Sequence, residues 1–199
     1  ADVAKINSDL NTKVNIADPV FTGSFSQNRK ADSTIGTNSH AEGSNTEASN
    51  SASHAEGYNT KARGGYSHAE GSSTEASGID SHAEGNGTTA SNLASHAEGN
   101  GTTASSNGSH AEGSSTVASN FASHAAGKLN APMTTGGTFG NTTGTAFVIG
   151  NGTSATALSN AFSVQYNGTV KAKSTITAST TADYAEFFEW LDENPNNED

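Results

Sequence analysis

Bulky apolar side chains are scarce in the middle of the chain, where small and polar residues recur in a fixed order. The pentapeptide Ser-His-Ala-Glu-Gly begins at Ser39 and returns every 14 residues, so all seven histidines occupy one repeat position. Six full repeats, from Ser39 to Ala122, contain only six bulky apolar residues: Tyr58, Tyr66, Ile79, Leu93, Val117 and Phe121. A fixed short period predicts a solenoid in which each repeat forms one rung stacked on the last.

Each repeat carries two turn signals about half a repeat apart. With Ser39 as position 1, position 5 is always glycine, and position 12 is Asn, Gly or Ser, as at Asn50, Gly64 and Ser106. Glycine and asparagine tolerate the left-handed backbone that turns require, so both positions signal a turn. One rung is therefore predicted to be two short strands and two turns. Successive rungs should stack about 4.8 Å apart through parallel ladders.

The alternation of side chains along a strand sorts the rung into an inside and an outside. Serine and alanine at positions 1 and 3, and threonine and alanine at positions 8 and 10, are small enough to line a flattened coil. The row of threonines from Thr46 to Thr116 would serve an ice-binding surface instead if it faced outward. Positions 9 and 11 hold varied polar residues such as Glu47, Lys61 and Arg63, which is typical of a solvated face.

Histidine at position 2 and glutamate at position 4 are predicted to point outward, yet they hardly vary between rungs. We interpret this His/Glu stripe as a subunit interface with imidazole and carboxylate hydrogen-bonded between chains, because buried polar groups need partners. The stripe comprises His40, Glu42, His54, Glu56, His68, Glu70, His82, Glu84, His96, Glu98, His110, Glu112 and His124. A solvated stripe is one alternative. A metal site is another, but stacked histidines do not converge on one ion, so no metal is expected.

Composition indicates self-association and excludes several classes of partner. Hydrophobic residues make up 31% of the 199 residues, too few for a monomer to offset its conformational entropy easily. We therefore expect an obligate oligomer. The net charge of −11 disfavours nucleic acid and anionic membranes as partners. The absence of cysteine excludes disulfides and thiol chemistry.

The segments flanking the repeat differ from it in pattern. Apolar residues at helical spacing in residues 1–16 predict a short coiled-coil stub, with an extended linker as the alternative. Residues 17–38 are predicted to be a linker, 39–127 the roll and 128–180 a β-rich tip. Phe147 to Ile149 and Phe162 to Tyr166 are predicted strands, and Asn167-Gly168 predicts a type I′ hairpin. Periodicity leaves strand and helix open for Asp183 to Trp190.

The repeat resembles the head domain of trimeric autotransporter adhesins, the YadA-like left-handed parallel β-roll. That family carries a Ser-x-Ala-x-Gly frame about every 14 residues, which Ser39-His40-Ala41-Glu42-Gly43 fits. The resemblance covers Ser39 to Gly127 and implies an all-β fold in which three rolls pack around a threefold axis. Histidine and glutamate stand here where the adhesins commonly carry aliphatic residues facing neighbouring chains, so the interface is expected to be polar.

The segments that flank the repeat resemble parts of a different class of protein, the appendages of phages and prophages. The run Ala17-Asp18-Pro19-Val20-Phe21-Thr22-Gly23 is similar to segments that punctuate phage tail fibres. Three stretches, Ala146 to Gly152, Ser159 to Phe162 and Ala182 to Trp190, are similar to the start of the peptidase G2 region, an autocleaving intramolecular chaperone of phage and prophage appendages. The resemblance implies that residues 181–199 begin that region and that the parent protein matures by self-cleavage. Asp199 is then either the terminus left by self-cleavage or a boundary imposed by truncation.

Taken together, the residues and the resemblance predict a structural and host-surface-binding segment of a homotrimeric phage or prophage appendage, located on the virion. Its expected partners are copies of itself and a bacterial surface glycan or other host receptor. We expect no cofactor and no catalysis by this chain, because no nucleophile setting is recognisable. The alternatives are a trimeric surface adhesin of a Gram-positive bacterium, and a fragment of an autoprocessing peptidase or glycan-degrading tailspike.

Overall fold

The protein folds as an all-β parallel solenoid with 14-residue rungs and about six turns, as the repeat predicts. The computed structural model describes residues 25–29, 35–134 and 142–174. Every regular element within those ranges is a strand. None of the described residues belongs to a helix with the length and apolarity needed to span a membrane.

Sixteen strands are present in the described residues. They are β1 (Phe25–Arg29), β2 (His40–Ala48), β3 (His54–Tyr58), β4 (Lys61–Ala62), β5 (His68–Ser72), β6 (Glu75–Ala76), β7 (His82–Asn86), β8 (Thr89–Ala90), β9 (His96–Asn100), β10 (Thr103–Ala104), β11 (His110–Ala111), β12 (Val117–Ala118), β13 (His124–Lys128), β14 (Thr145–Asn151), β15 (Asn160–Gln165) and β16 (Val170–Ala172).

The roll has two parallel sheets that share β2. The first sheet stacks β2, β3, β5, β7, β9, β11 and β13, and it pairs His40 with His54, Glu42 with Glu56, and so on along the axis. The second sheet stacks the end of β2 with β4, β6, β8, β10 and β12. Because each rung pairs in register with the next, identical residues form straight rows along both sheets.

The core of the roll is built from small side chains alone. Alanines at positions 3 and 10, from Ala41 to Ala125, are at most 2% exposed. Serines at position 1 and threonines at position 8 are buried beside them, as for Ser67 and Thr74. The prediction that these positions line the coil is confirmed. The threonine row therefore offers no outward surface of the kind that ice binding needs.

The two turns differ in which residue takes the left-handed backbone. Every position-5 glycine does so, with φ between 86° and 109°, as predicted. The second turn also forms where the sequence predicts it, and its positive φ falls two residues after position 12, at position 14. Residues as different as Ala52, Tyr66 and Asp80 adopt it there, with φ from 51° to 58°. Glycine is needed only at the first turn, since φ near 105° is closed to other side chains.

Parallel pairing continues past the repeat at both ends. β1 pairs with β2, and β13 pairs with β14, so that Val148 takes the buried place beside Ala125. β14, β15 and β16 then form antiparallel hairpins, which confirms the predicted strands. The predicted turn type was wrong. Only Gly168 has positive φ, and its N–H donates to the Gln165 carbonyl, so a type I turn with a left-handed glycine replaces type I′.

Several sequence predictions lie outside the described residues. They are the coiled-coil stub at residues 1–16, the choice between strand and helix for residues 183–190, and the terminus at Asp199.

Candidate functional site

The histidines of the first sheet form a continuous stack on its outer face. Successive rings from His40 to His124 lie 4.6 to 4.8 Å apart between centroids, with interplanar angles of at most 12°. This spacing is that of the ladder itself, so one rotamer repeated on every rung suffices to stack the rings. Phe147 on β14 closes the stack edge-on against His124, with 5.3 Å between centroids.

The glutamates run beside the histidines as a second row, two residues further along each strand. Near the first rungs each histidine lies close to the glutamate of its own rung, with His54 Nε2 3.7 Å from Glu56. From the fourth rung the histidine lies close to the glutamate of the preceding rung, with His82 Nε2 3.7 Å from Glu70 and His124 Nε2 3.3 Å from Glu112. The histidine and glutamate side chains are about one third exposed. The outward orientation predicted for the stripe is confirmed, and its role as an interface stays a prediction.

The Nε2 atoms of the stack are shielded although the rings are not. In His54, His68, His82, His96, His110 and His124, Nε2 is inaccessible to solvent and makes no hydrogen bond within the described residues. Burial lowers the pKa of the His68 and His96 imidazoles below the usual range, and the neighbouring rings lower it further. The adjacent glutamates oppose the shift without cancelling it. These imidazoles are therefore neutral at pH 7.

A long open groove of about 1140 Å³ follows the glutamate side of the stripe. Its walls are the position-4 glutamates from Glu42 to Glu112 and the position-5 glycines from Gly43 to Gly127. The glycines leave backbone bare along the floor, and the carboxylates make the groove acidic. Such a groove can take a cationic ligand or the edge of another chain.

The stripe also gathers side chains into sets that could bind a metal ion. Five triads bring one ligand atom from each residue within 4.8 Å of the others. They are His40–Glu42–His54, Glu56–His68–Glu70, Glu70–His82–Glu84, His96–Glu98–His110 and His110–Glu112–His124. Each triad takes residues from two successive rungs. The sequence did not reveal them, because each triad combines residues of two rungs that are distant in the chain.

The outer face of the second sheet is organised differently. Arg63 donates through Nε and Nη2 to Glu47, at 3.0 and 3.2 Å, and through Nη1 to Glu75 at 3.0 Å. The hydrogen bond to Glu47 is the largest cause that raises the pKa of Arg63 above its usual value. Lys61 lies 3.8 Å from Glu75. The later rungs have threonine, valine and serine in these rows, so this ionic cluster is confined to the first three rungs.

Apolar side chains that the core leaves out lie at the turns. Tyr66 and Ile79 are 67% and 54% exposed at the second turn, and Leu93 follows there at 48%. Tyr58, at the first turn, is 62% exposed. Sequence reasoning counted these residues but did not place them. The signal was their position at or beside the turns, which projects them away from both sheets.

Comparison of the chain with protein-family models, with curated proteins and with solved structures returned no match.

Proposed function

We propose that this chain is a rigid structural segment of a homotrimeric extracellular fibre, of the phage or prophage appendage type, that presents its tip to a bacterial surface. The expectation of three chains rests on the resemblance of the repeat to trimeric adhesin heads. The expectation of a phage or prophage appendage rests on the resemblance of the flanking segments to appendage proteins. The ligand at the tip would be a surface glycan or another host receptor.

The observation that carries the proposal is a roll core in which nearly every buried side chain is alanine, serine or threonine. Each such side chain buries little apolar surface, and hydrophobic stabilisation scales with that area. The large apolar side chains, among them Tyr58, Tyr66, Ile79 and Leu93, are exposed. A chain of this kind gains what its own core does not supply by packing its outer surfaces against other copies.

The His/Glu stripe is the surface that we assign to those contacts. Its side chains are about one third exposed, and several shielded Nε2 atoms have no hydrogen-bond partner within the described part of the chain. Buried polar atoms are nearly always satisfied in a native assembly. A second chain seated along the acidic groove would supply donors to the glutamates and exclude water from the stack. This assignment keeps the interface polar, as the substitution of histidine and glutamate for aliphatic residues implies.

The mechanical consequence is a stiff rod with repeated attachment points. Parallel ladders connect every rung to its neighbours through the backbone, so bending the rod requires hydrogen bonds to be broken. Threefold symmetry would present three identical tips at once. Multivalent contact raises the overall avidity without strong single sites.

Light scattering of the purified chain at pH 7.5 tests the oligomer. Three times 20.0 kDa supports the proposal, and a folded monomer overturns it. Because the chain contains no cysteine, single cysteines then locate the interface by maleimide labelling. Glu84→Cys on the stripe should be protected, whereas Thr89→Cys on the second sheet should react rapidly. Equal labelling of both variants would place the interface elsewhere.

Binding to bacterial cells tests the biological role. A fluorescent trimer should bind intact host cells or their purified wall glycans, and the same chain held as a monomer should bind far more weakly. Absence of binding to every surface fraction would leave a structural rod without the receptor role. Maturation is tested separately by mass spectrometry of the full parent protein, where an uncut chain would overturn self-cleavage.

A further inference from the structure

We infer that the His/Glu stripe is a transition-metal site that holds up to three zinc-class ions per chain, each linking two successive rungs. The inference does not depend on the trimer. The sequence spacing argues against an ion, because the histidines of one row, taken alone, do not converge on a single point. The structure adds a glutamate of the preceding rung beside His82, His96, His110 and His124, and this changes the ligand set.

The distances match a coordination sphere better than a hydrogen bond. Nε2 lies 3.3 to 3.9 Å from a glutamate oxygen in the pairs of His82, His96, His110 and His124. A hydrogen bond from nitrogen to oxygen is normally about 2.7–3.2 Å long. Two ligand atoms on one tetrahedral zinc, with bonds of about 2.0–2.2 Å, are about 3.4 Å apart. An ion between imidazole and carboxylate therefore fits where a direct hydrogen bond does not.

The imidazole nitrogens also favour an ion. A metal binds imidazole through a nitrogen lone pair, and Nε2 in His68 and His82 is shielded from water without a hydrogen-bond partner among the described residues. Glutamates such as Glu70 and Glu84 are about one third exposed, so their carboxylates have room to turn towards an ion. Imidazole nitrogen with carboxylate oxygen is a donor set typical of zinc and its first-row neighbours.

The two middle triads fit best. Rings stacked within 12° of parallel cannot both direct a lone pair at one ion unless one of them rotates. The triads Glu56–His68–Glu70 and Glu70–His82–Glu84 contain a single imidazole each and need no rotation. Water completes the coordination of an ion held by three protein ligands. The middle of the stripe should therefore bind zinc most tightly.

Shared residues limit the number of ions. Glu70 belongs to both middle triads, and His110 belongs to both of the last two. With one ligand atom taken from each residue, only one triad of each pair can be filled at a time, so the five triads hold three ions at most. Because each triad spans two rungs, every ion opposes separation of those rungs and stabilises the folded chain by mass action.

The test is a zinc titration of the chelator-treated full chain at pH 7.5, by calorimetry and by metal analysis after equilibrium dialysis. The wild-type chain should bind three ions and melt at a higher temperature with zinc than without. Glu70→Gln removes a carboxylate from both middle triads and should bind two ions. His110→Gln should also bind two, and the double variant one. Asp80→Asn is the matched control, since it removes an exposed carboxylate outside every triad and should still bind three.

Cobalt(II) supplies an independent readout, because imidazole coordination gives a visible absorption band that Glu70→Gln should weaken. Melting of each variant without metal verifies that it folds. Three outcomes overturn the inference: no zinc bound at 100 µM free metal, an unchanged ion count in Glu70→Gln, or about seven ions, one for each independent histidine. Uptake that is equal in Glu70→Gln and Asp80→Asn would mean an adventitious ion only.

Discussion

The two outer faces of the roll lie on parallel sheets with the same 14-residue period, yet they use it in opposite ways. The first sheet has mostly five-residue strands and repeats histidine, glutamate and glycine on almost every rung. The second sheet has mostly two-residue strands whose outward residues change from charged to hydroxyl-bearing to apolar, from Glu47 through Thr89 to Val117. On the first face, ring stacking and the left-handed glycine restrict which residues each rung can hold. The second face needs only side chains that tolerate water.

The largest effect should come from the glycine at position 5 of each rung in the first sheet. Gly85 has φ near 105°, and a Cβ there would lie 2.2 Å from the carbonyl oxygen of Gly99. Gly85→Ala should cost at least about 3 kcal/mol of unfolding free energy, because strain and a backbone clash add. Gly87→Ala is the matched control, with φ near 65° and no atom nearer than 4.0 Å, and it should cost about 1 kcal/mol. Urea unfolding measures both, and equal costs would contradict this account of the turn.

Acidification should have the next largest effect on stability, and it should act on the first face alone. The folded pKa of His68 and His96 lies below the usual value of 6.5, mainly because of burial, so the unfolded chain binds protons more readily. The contribution of these two histidines to stability is therefore complete above pH 6.5, and it is lost as the pH falls through that value. The rings that face these two are their stacked neighbours, and the facing carboxylates are Glu56, Glu70, Glu84 and Glu98.

The melting temperature of the metal-free chain, followed from pH 8 to pH 5, should fall by several degrees. The double variant His68→Gln with His96→Gln should flatten part of that decline. A melting temperature independent of pH over this range would contradict the lowered pKa of His68 and His96. If the chain forms the proposed trimer, dissociation of the trimer should show the same dependence on pH.

Removing the arginine of the second sheet should have a smaller effect. Arg63→Met takes the shared cation from Glu47 and Glu75, and it should cost about 1 kcal/mol at low salt. Lys61→Met is the comparison, because its single ion pair at 3.8 Å should contribute no more than about 0.3 kcal/mol. Thermal melts in low and in 1 M salt measure the difference, which should shrink as salt screens the charges. A difference that survives high salt would indicate packing of the arginine stem instead.

The smallest effect should come from an ordinary outward position of the second sheet. Thr103→Val should change stability by less than about 0.5 kcal/mol, because valine already occupies this row at Val117 on the next rung. The matched change one residue earlier is Thr102→Val, which removes a buried hydroxyl that donates to the Glu98 carbonyl at 3.1 Å. That variant should cost about 1 kcal/mol. Chemical unfolding of both variants measures the two costs. A larger cost for Thr103→Val than for Thr102→Val would contradict the assignment of position 8 to the core and position 9 to the outer face.

The fold class can be read from the sequence alone, together with the rung length and the division between inside and outside. A strict period of 14 with glycine at position 5 leaves few structures other than a parallel coil. Side-chain alternation then assigned Ser67, Ala69, Thr74 and Ala76 to the core, because strand geometry makes parity a local property. The same reasoning pointed histidine and glutamate outward.

Which side chains meet, in contrast, depends on how the rungs pack against one another. The left-handed residue of the second turn falls on position 14 and not on position 12, because stacked rungs select a backbone that residue preference alone does not reveal. Phe147 closes the histidine stack from beyond the repeat. His82 lies near Glu70 of the rung before it, although Glu84 is nearer in the chain. Contacts between rungs depend on side-chain rotation across a 4.8 Å ladder, and no local pattern encodes that rotation.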